Sequence, residues 1–157
     1  MRFDIRLIDF MSPVEYEAEQ HQKRIAQIEE SQKLLEAFIE QENIEVSPTE
    51  SGLYYIETER GKGDKPKIGQ KVKVHYAGRL TNGLPFDDSY SKGEPFEFEL
   101  GSGRVIKGWD EGIALMREGG KAMLVIPQDL AYGEREMGRI PAFSPLVFEV
   151  ELIEIIN

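Results

Sequence analysis

Residues 71–76 read Lys-Val-Lys-Val-His-Tyr, with polar and apolar side chains in alternation. The same period of two returns at residues 96–100 and 148–152, where Phe, Val and Leu alternate with Glu. Such alternation predicts antiparallel strands with one face on a core and the other in water. A further, more apolar strand is predicted at residues 121–126, and the Thr-Asn-Gly of residues 81–83 supplies a turn between two of the runs.

One short helix is predicted inside this strand-forming region, near residues 109–116. Trp109, Ile113 and Met116 share one face at helical spacing. The pair Gly119-Gly120 is expected to end the helix. The predicted fold class is α+β, a curved antiparallel sheet with a single short helix lying on its apolar face.

A long N-terminal helix is predicted to precede the sheet. Ser12-Pro13-Val14-Glu15 matches a capping box with proline at the first helical position, and neither Gly nor Pro returns until Pro48. Apolar side chains then recur at alternating spacings of four and three, which indicates a heptad seam at residues 13–42. The stripe comprises Val14, Ala18, His21, Ile25, Ile28, Gln32, Leu35 and Ile39, two of them polar. Two partners for it stay open, a second copy of the chain or the body of the same chain.

The polar, turn-rich residues 47–52 mark a boundary between two parts. We expect an N-terminal helical extension at residues 1–46 and a second domain at residues 53–157. Met11 offers an alternative start of the native chain, and the Phe, Ile and Leu at alternate positions of residues 3–7 indicate a strand.

Composition argues against several classes of function. The chain has 29 acidic and 19 basic residues and a net charge of -10, which argues against nucleic-acid binding. Cysteine is absent, which excludes disulfides, thiolate catalysis and Cys-based zinc sites. No apolar run approaches the ~18 residues that span a bilayer. Neither a metal nor a cofactor is expected. The compartment stays open: cytoplasmic on the sequence as given, or cell envelope or periplasm if a signal or lipid anchor has been removed.

The candidate site consists of rings, aliphatic side chains and one carboxylate. Trp109, the only tryptophan, is either a core plug or the floor of a shallow apolar bowl. Asp87 reaches the rim of that bowl if Phe86 points inward. Neither His75 nor His21 has a serine or carboxylate at suggestive spacing, so a hydrolase triad is not expected.

Residues 53–156 carry a series of motifs that resembles the FKBP family, the macrolide-binding peptidyl-prolyl cis-trans isomerases. The matching pieces are Val74-His75-Tyr76-Ala77-Gly78, Asn82-Gly83, Phe86-Asp87, Pro95-Phe96-Glu97-Phe98, Leu100-Gly101, Val105-Ile106-Lys107-Gly108-Trp109, Gly112, Ala131-Tyr132-Gly133, Ile140-Pro141 and Leu146-Val147-Phe148. The resemblance implies an antiparallel half-barrel wrapped round the short helix, which agrees with the periodicity. It also implies isomerisation of X–Pro bonds in proline-containing polypeptides, without covalent catalysis, and binding of macrolide inhibitors.

The resemblance also implies roles for particular residues. The proline ring would rest on Trp109, while the backbone N–H of Ile106 and the hydroxyl of Tyr132 would hold substrate carbonyls. The residues implied in catalysis are Tyr76, Phe86, Asp87, Ile106, Trp109, Tyr132 and Phe148, and those implied in substrate binding are Phe96, Phe98, Val105 and Ile140.

Two features depart from the common family pattern or extend it. The loop at residues 134–138 is one residue shorter than usual, with Glu136 and Met137 where many members have histidine and proline. The leading helix resembles that of the bacterial macrophage infectivity potentiator branch, whose helices form a homodimer. Two alternatives to an isomerase stay open, namely a module that binds proline-containing segments without turnover and a coiled-coil adaptor.

Overall fold

The structure, a computed structural model, describes residues 13–156, with side chains from residue 17 onward. The capping box that starts at Ser12 and the strand predicted within residues 1–10 lie outside this range. Two helices and six strands follow in chain order: α1 Pro13–Gln41, β1 Tyr54–Glu59, β2 Lys71–Leu80, β3 Pro85–Asp88, β4 Phe96–Glu99, α2 Lys107–Ile113, β5 Lys121–Ile126 and β6 Leu146–Ile156.

The six strands form one curved antiparallel sheet. Its order is β1-β5-β6-β2-β3, and β4 pairs separately with β2. The longest pairing joins β2 to β6, from Lys71 opposite Ile156 to Leu80 opposite Leu146, with one irregularity between Lys73 and Val74. In β2, every second residue from Val72 to Leu80 is buried, as the alternation predicts. The predicted α+β class, with its curved antiparallel sheet and long leading helix, is confirmed.

The short helix α2 lies close against β5. Gly108 and Gly112, four residues apart, share one face of the helix. A Cβ at Gly108 would lie 2.6 Å from the Cγ2 atom of Ile126, and a Cβ at Gly112 would lie 2.8 Å from the Cδ1 atom of Leu124. The glycines therefore allow the close approach that places Trp109 beneath the sheet.

The predicted bounds of α2 were wrong at both ends. The helix begins at Lys107 and ends at Ile113, so Met116 lies beyond it although it is buried. Leu115 and Met116 donate their backbone N–H groups to the carbonyls three residues before them, which forms turns rather than a further helical turn. Gly119 and Gly120 belong to the connection to β5. The short strands β1 and β3 were not predicted as separate elements.

The described residues fall into two compact units, divided between Glu30 and Ser31. In the first unit, the side chains from His21 to Glu30 are exposed, including Ile25 and Ile28 of the predicted stripe. Lys23 forms an ion pair with Glu19 one turn earlier, at 3.5 Å. This pair stabilises the helix only weakly because both groups are solvated.

In the second unit, the last turns of α1 dock on the sheet. Leu35 and Phe38 are buried in a small cluster with Val125 of β5 and Val147 of β6. Gln32, placed in the stripe by the sequence, is exposed, whereas Ser31 is buried. The buried face is therefore rotated by one residue from the predicted one. Ser31 is buried in place of Gln32, and Phe38 is more deeply buried than Ile39. The stripe's end thus packs within the chain.

Helix α1 ends at Gln41, one residue before the predicted end. Asn43 adopts a left-handed conformation with φ 54°, and Ile44 donates its N–H to the carbonyl of Ile39 at 3.0 Å. Asparagine is one of the residues that tolerate this conformation after a helix.

Candidate active site

A cavity of about 1070 Å³ opens between β2, β3, the start of α2 and the loop before β6. Every site residue implied by the resemblance lines it except Phe98. The residues that the structure brings together at the cavity are Tyr76, Phe86, Asp87, Phe96, Val105, Ile106, Trp109, Tyr132, Ile140 and Phe148. They come from separate parts of the chain, so the sheet and α2 must both form before the cavity exists.

Trp109 lies at the floor of the cavity with neighbouring rings around it. Its ring centroid lies 5.0 Å from that of Tyr76 and 5.2 Å from that of Phe148, both in edge-to-face contact. Trp109 is 5% exposed, and its Nε1 atom has no hydrogen-bond acceptor among the described residues. Edge-to-face packing from two sides fixes the plane of the indole. Trp109 is thus both a core residue and part of the cavity wall.

Phe98 lies behind the cavity rather than in its wall. It is buried, stacks on Phe96 with ring centroids 5.7 Å apart, and contacts Trp109 at 5.8 Å. The pairing of β4 with β2 explains this position, because Phe98 stands opposite Val72 and Phe96 stands opposite Val74, closer to Tyr76. Phe98 thus supports two rings of the cavity wall.

Three polar side chains form a compact group at the rim. The Tyr76 hydroxyl donates to Asp87 Oδ2 at 2.7 Å, and Lys92 Nζ lies 3.0 Å from Asp87 Oδ1 and 3.2 Å from the Tyr76 oxygen. Pairing of Gly78 with Asp87 brings β3 beside β2 and places the carboxylate there. Sequence reasoning missed Lys92, since a lysine in a loop five residues after an aspartate carries no recognisable pattern.

The pKa values of this group are displaced in directions that preserve its charges. Burial alone raises the pKa of the Asp87 carboxyl, but hydrogen bonds from Tyr76 and Lys92 outweigh burial and hold that pKa below its usual value. Burial, followed by the hydrogen bond to Asp87, raises the pKa of the Tyr76 phenol. Hydrogen bonds to Asp87 and Tyr76 raise the pKa of Lys92. The carboxylate, the neutral phenol and the ammonium thus coexist at neutral pH.

His75 has a serine partner, contrary to the expectation from spacing. Its Nδ1 lies 2.8 Å from the Oγ of Ser89, and its ring stacks on Tyr90. Ser89 is 1% exposed, and its Oγ also accepts the backbone N–H of Tyr76 at 2.8 Å. Because this oxygen is buried and already bonded to the backbone, the contact joins β2 to the end of β3. It does not form a nucleophile.

The loop between β5 and β6 closes one side of the cavity. Phe143 donates its N–H to the carbonyl of Gly133 at 2.7 Å and anchors the loop. Met137 and Ile140 exchange backbone hydrogen bonds at 3.0 and 2.9 Å, which makes a tight turn between them. Of the two residues that depart from the family pattern, Met137 lines the cavity and Glu136 does not.

The arrangement is suited to binding rather than to bond cleavage. Its walls are aromatic and aliphatic, and its polar rim holds fixed hydrogen-bonding groups. Among the side chains of residues 17–156, no group of three or more His, Asp or Glu is placed to hold a metal ion. None of the helices in that range is both long and apolar enough to cross a bilayer. Fold and site together define a half-barrel domain with an open cavity whose aromatic and aliphatic walls suit an apolar ring.

Comparison with known proteins gives the family. The family model for FKBP-type peptidyl-prolyl cis-trans isomerase matches residues 62–153. The FKBP-type peptidyl-prolyl cis-trans isomerase FkpA of Buchnera aphidicola is 46% identical over 112 residues, which are 71% of this chain and 46% of that protein. The FKBP-type 22 kDa peptidyl-prolyl cis-trans isomerase of Escherichia coli is 46% identical over 141 residues, 89% of this chain and 66% of that protein.

A solved structure gives the same result. The crystal structure of FkpA from Escherichia coli superposes with a TM-score of 0.76 at 36% identity, covering 94% of this chain and 74% of that one. The chain belongs to the FKBP-type peptidyl-prolyl cis-trans isomerase family. It spans about half the length of the Buchnera relative and about two thirds of the 22 kDa relative.

Proposed function

We propose that this chain catalyses cis–trans isomerisation of X–Pro peptide bonds and so assists the folding of proline-containing polypeptides. The observation that carries this proposal is the cavity whose floor is Trp109 and whose walls include the rings of Tyr76, Phe86 and Phe148. A pyrrolidine ring is apolar and flat enough to lie against an indole, and a cavity of this kind offers it dispersion contacts on several sides.

The chemistry needs neither a nucleophile nor a proton donor. Rotation about a peptide bond is opposed by amide resonance, with a barrier of ~18–20 kcal/mol. The two isomers of an X–Pro bond are close in energy, yet they exchange over tens of seconds or longer. Preferential binding of the twisted amide therefore suffices for catalysis. An acceleration of ~10⁵–10⁶ corresponds to about 7–8 kcal/mol of such preference.

The cavity favours the twisted state through its polarity and through its rim. A twisted amide has lost resonance and is less dipolar than the planar form, so apolar walls penalise it less than they penalise the planar form. We assign the proline ring to the floor at Trp109 and the flanking carbonyls to the Ile106 N–H and the Tyr132 hydroxyl. Ile106 stands at the start of α2, and its carbonyl already accepts the N–H of Trp109 at 3.0 Å.

The remaining site residues shape the cavity. In this proposal Phe86, Phe96, Val105, Ile140 and Phe148 surround the ring, and Phe98 acts behind them. Tyr76 and Asp87 hold the rim through their 2.7 Å hydrogen bond. The same cavity is expected to accept macrolide inhibitors, which would compete with the peptide.

Relaxation of an X–Pro peptide after a solvent jump tests this function. The full chain is expected to accelerate relaxation in proportion to its concentration, and a macrolide is expected to suppress the acceleration. The alternative of a binding module without turnover makes the opposite prediction, because peptide would bind while relaxation keeps the rate found in buffer.

We further propose that residues 53–157 form the isomerase domain and that residues 1–46 form an extension through which two chains pair. The observation in favour of pairing is that Ile25 and Ile28 of α1 are about two-fifths exposed. A helix with an uncovered apolar stripe gains free energy by burying it against a second helix. The adaptor alternative attributes that surface to a different protein partner.

A further inference from the structure

Two arginine side chains at the cavity have no partner among the side chains that the structure describes, those of residues 17–156. Arg104 and Arg139 both line the cavity and are exposed. Neither forms a hydrogen bond or an ion pair with another described residue. A guanidinium group presents several N–H donors in a fixed plane, and its preferred partner is a carboxylate held by two parallel hydrogen bonds.

The backbone holds both arginines at the mouth. Arg139 sits in the tight turn closed by Met137 and Ile140, where Gly138 at the first central position has φ 58°, as a two-residue hairpin turn requires. Arg104 follows Gly103, which has φ 78°, and stands two residues before Ile106. Each arginine is therefore next to a residue proposed to contact the substrate.

The cavity's own acidic groups neutralise these two charges only in part. Asp87 is engaged by Lys92 at 3.0 Å and by the Tyr76 hydroxyl. Asp88 accepts two hydrogen bonds from Ser91, one from the hydroxyl and one from the backbone N–H of Ser91 at 3.2 Å. Asp88 keeps its negative charge, because Ser91 is neutral. Two carboxylates in the cavity lining therefore face three cations, Lys92, Arg104 and Arg139, and the balance is one positive charge in a chain of net charge -10. A positive balance at the cavity mouth attracts anionic groups to it.

We infer that Arg104 and Arg139 make the enzyme prefer X–Pro segments with a carboxylate side chain next to the proline. The inference rests on the proposed isomerase function and adds a substrate class to it. Exposed charge pairs contribute little in water, so the preference is modest, about two- to fivefold in kcat/KM at low salt, and falls as salt rises.

Matched peptides test the inference. Two series carry Glu or Gln, one series immediately before the proline and the other immediately after it. The Glu-to-Gln ratio of kcat/KM is measured for the wild type, for the double variant Arg104→Gln/Arg139→Gln, and for Arg135→Gln. Arg135 belongs to the same loop and is exposed, but it does not line the cavity, so it matches the change in charge without the change in position.

The expected ratio for the wild type is two to five in at least one series at low salt and near one in 0.5 M NaCl. It should fall to about one in the double variant and persist in Arg135→Gln. A wild-type ratio at or below one in both series overturns the inference. The inference is also overturned if the Glu-to-Gln ratio stays at the wild-type value in the double variant, or if Arg135→Gln lowers the ratio to one as well.

Failure of the proposed function is distinguishable from failure of this inference. Acceleration of the Gln peptides over buffer tests the function alone. The affinity of each peptide, followed by the fluorescence of Trp109, gives the same Glu-to-Gln comparison without turnover. If the Gln peptides bind but are not accelerated, the isomerase proposal fails, and the ratio of dissociation constants still decides the role of the arginines.

Discussion

At the residue scale, Asp87 has a role that its neighbours define. It accepts the Tyr76 hydroxyl at 2.7 Å and faces Lys92 at 3.0 Å, so removing its carboxylate releases two groups at once. The phenol would then lose the acceptor that orients it over the cavity, and the ammonium would lose its counter-charge. Hydrogen bonds to charged groups are worth about 1.5–3 kcal/mol, which corresponds to tenfold or more in rate.

Asp87→Ala is therefore expected to lower kcat/KM for a Leu-Pro peptide about tenfold, while the far-ultraviolet circular dichroism stays that of the wild type. Glu97→Ala is the matched control, since Glu97 is an exposed acidic residue of β4 that does not line the cavity. Equal rates for both variants and the wild type would remove Asp87 from the site.

The pH profile of the activity follows from the same three groups. The pKa of Asp87 is lowered, and the pKa values of Tyr76 and Lys92 are raised, so none of the three titrates near neutrality. We expect kcat/KM to be flat from about pH 5 to pH 9. An inflection inside that range, measured with a peptide that has no titratable side chain, would contradict the assignment of these groups.

The lowered pKa of Asp87 also makes the stability of the fold depend on pH. A carboxyl whose pKa is lower in the folded state stabilises the fold above its unfolded pKa of about 3.9, and this contribution is lost as pH falls through the lowered value. The Asp87 contribution is thus fully present at neutral pH. It is modest because the Asp87 side chain is 41% exposed.

Much of the site at this scale could be predicted from the sequence. Tyr76, Asp87 and Trp109 belong to motifs with a recognisable order, and the structure brings them together. Lys92, Arg104 and Arg139 could not be predicted, because they lie in loops whose path depends on glycine conformations and backbone hydrogen bonds. Alternation alone does not distinguish Phe98 from Phe96, because it gives the face of a strand but not how far along the cavity a residue lies.

At the scale of elements, the connection after β1 packs directly on the turn before β5. Gly63 donates its N–H to the carbonyl of Glu118 at 3.1 Å, and Gly61 lies against the same turn. A Cβ at Gly61 would lie 2.5 Å from the carbonyl oxygens of both Arg117 and Glu118. These are backbone atoms, so they cannot move aside as a flexible side chain could.

Gly61→Ala is expected to lower the free energy of unfolding by about 2 kcal/mol or more, because the overlap must be relieved by shifting backbone. Lys62→Ala, at an exposed neighbour in the same connection, is expected to change it by less than about 0.5 kcal/mol. Urea unfolding of both variants measures the difference. Equal midpoints would show that the two segments are not held this closely.

Element boundaries were the less predictable part of the fold. Alternation in β2 and β6 is long enough to define a strand, whereas β3 has four residues and one half-buried ring, Phe86. The end of α2 was misjudged because Met116 continues the apolar spacing although the backbone has left the helix. Burial of an apolar residue at helical spacing does not require a helix.

At the scale of the whole molecule, the two parts of α1 belong to different units. Its residues 31–41 belong to the second unit, where Leu35 and Phe38 cover Val125 and Val147. A deletion of residues 1–45 would uncover those two valines, so a point variant tests pairing more cleanly. The sequence predicted the helix but not the contact of Phe38 with Val125 and Val147. That contact joins residues far apart in the chain, which a local pattern does not reveal.

Light scattering on the full chain is expected to give about twice the 17.9 kDa mass of one chain. Ile28→Glu should return the mass to that of one chain, because a buried charge in a helix pair is costly. Gln27→Glu adds the same charge at a neighbouring exposed position and should leave the dimer intact. A wild type that already has the mass of one chain would contradict pairing through α1.

Exchange NMR on an X–Pro peptide with a substoichiometric amount of the full chain tests the central claim most directly. Cis and trans proline resonances that do not exchange within one second in buffer are expected to show exchange cross-peaks when the protein is added. Peptide signals that shift or broaden through binding but never show those cross-peaks would contradict the claim that this cavity turns the X–Pro bond.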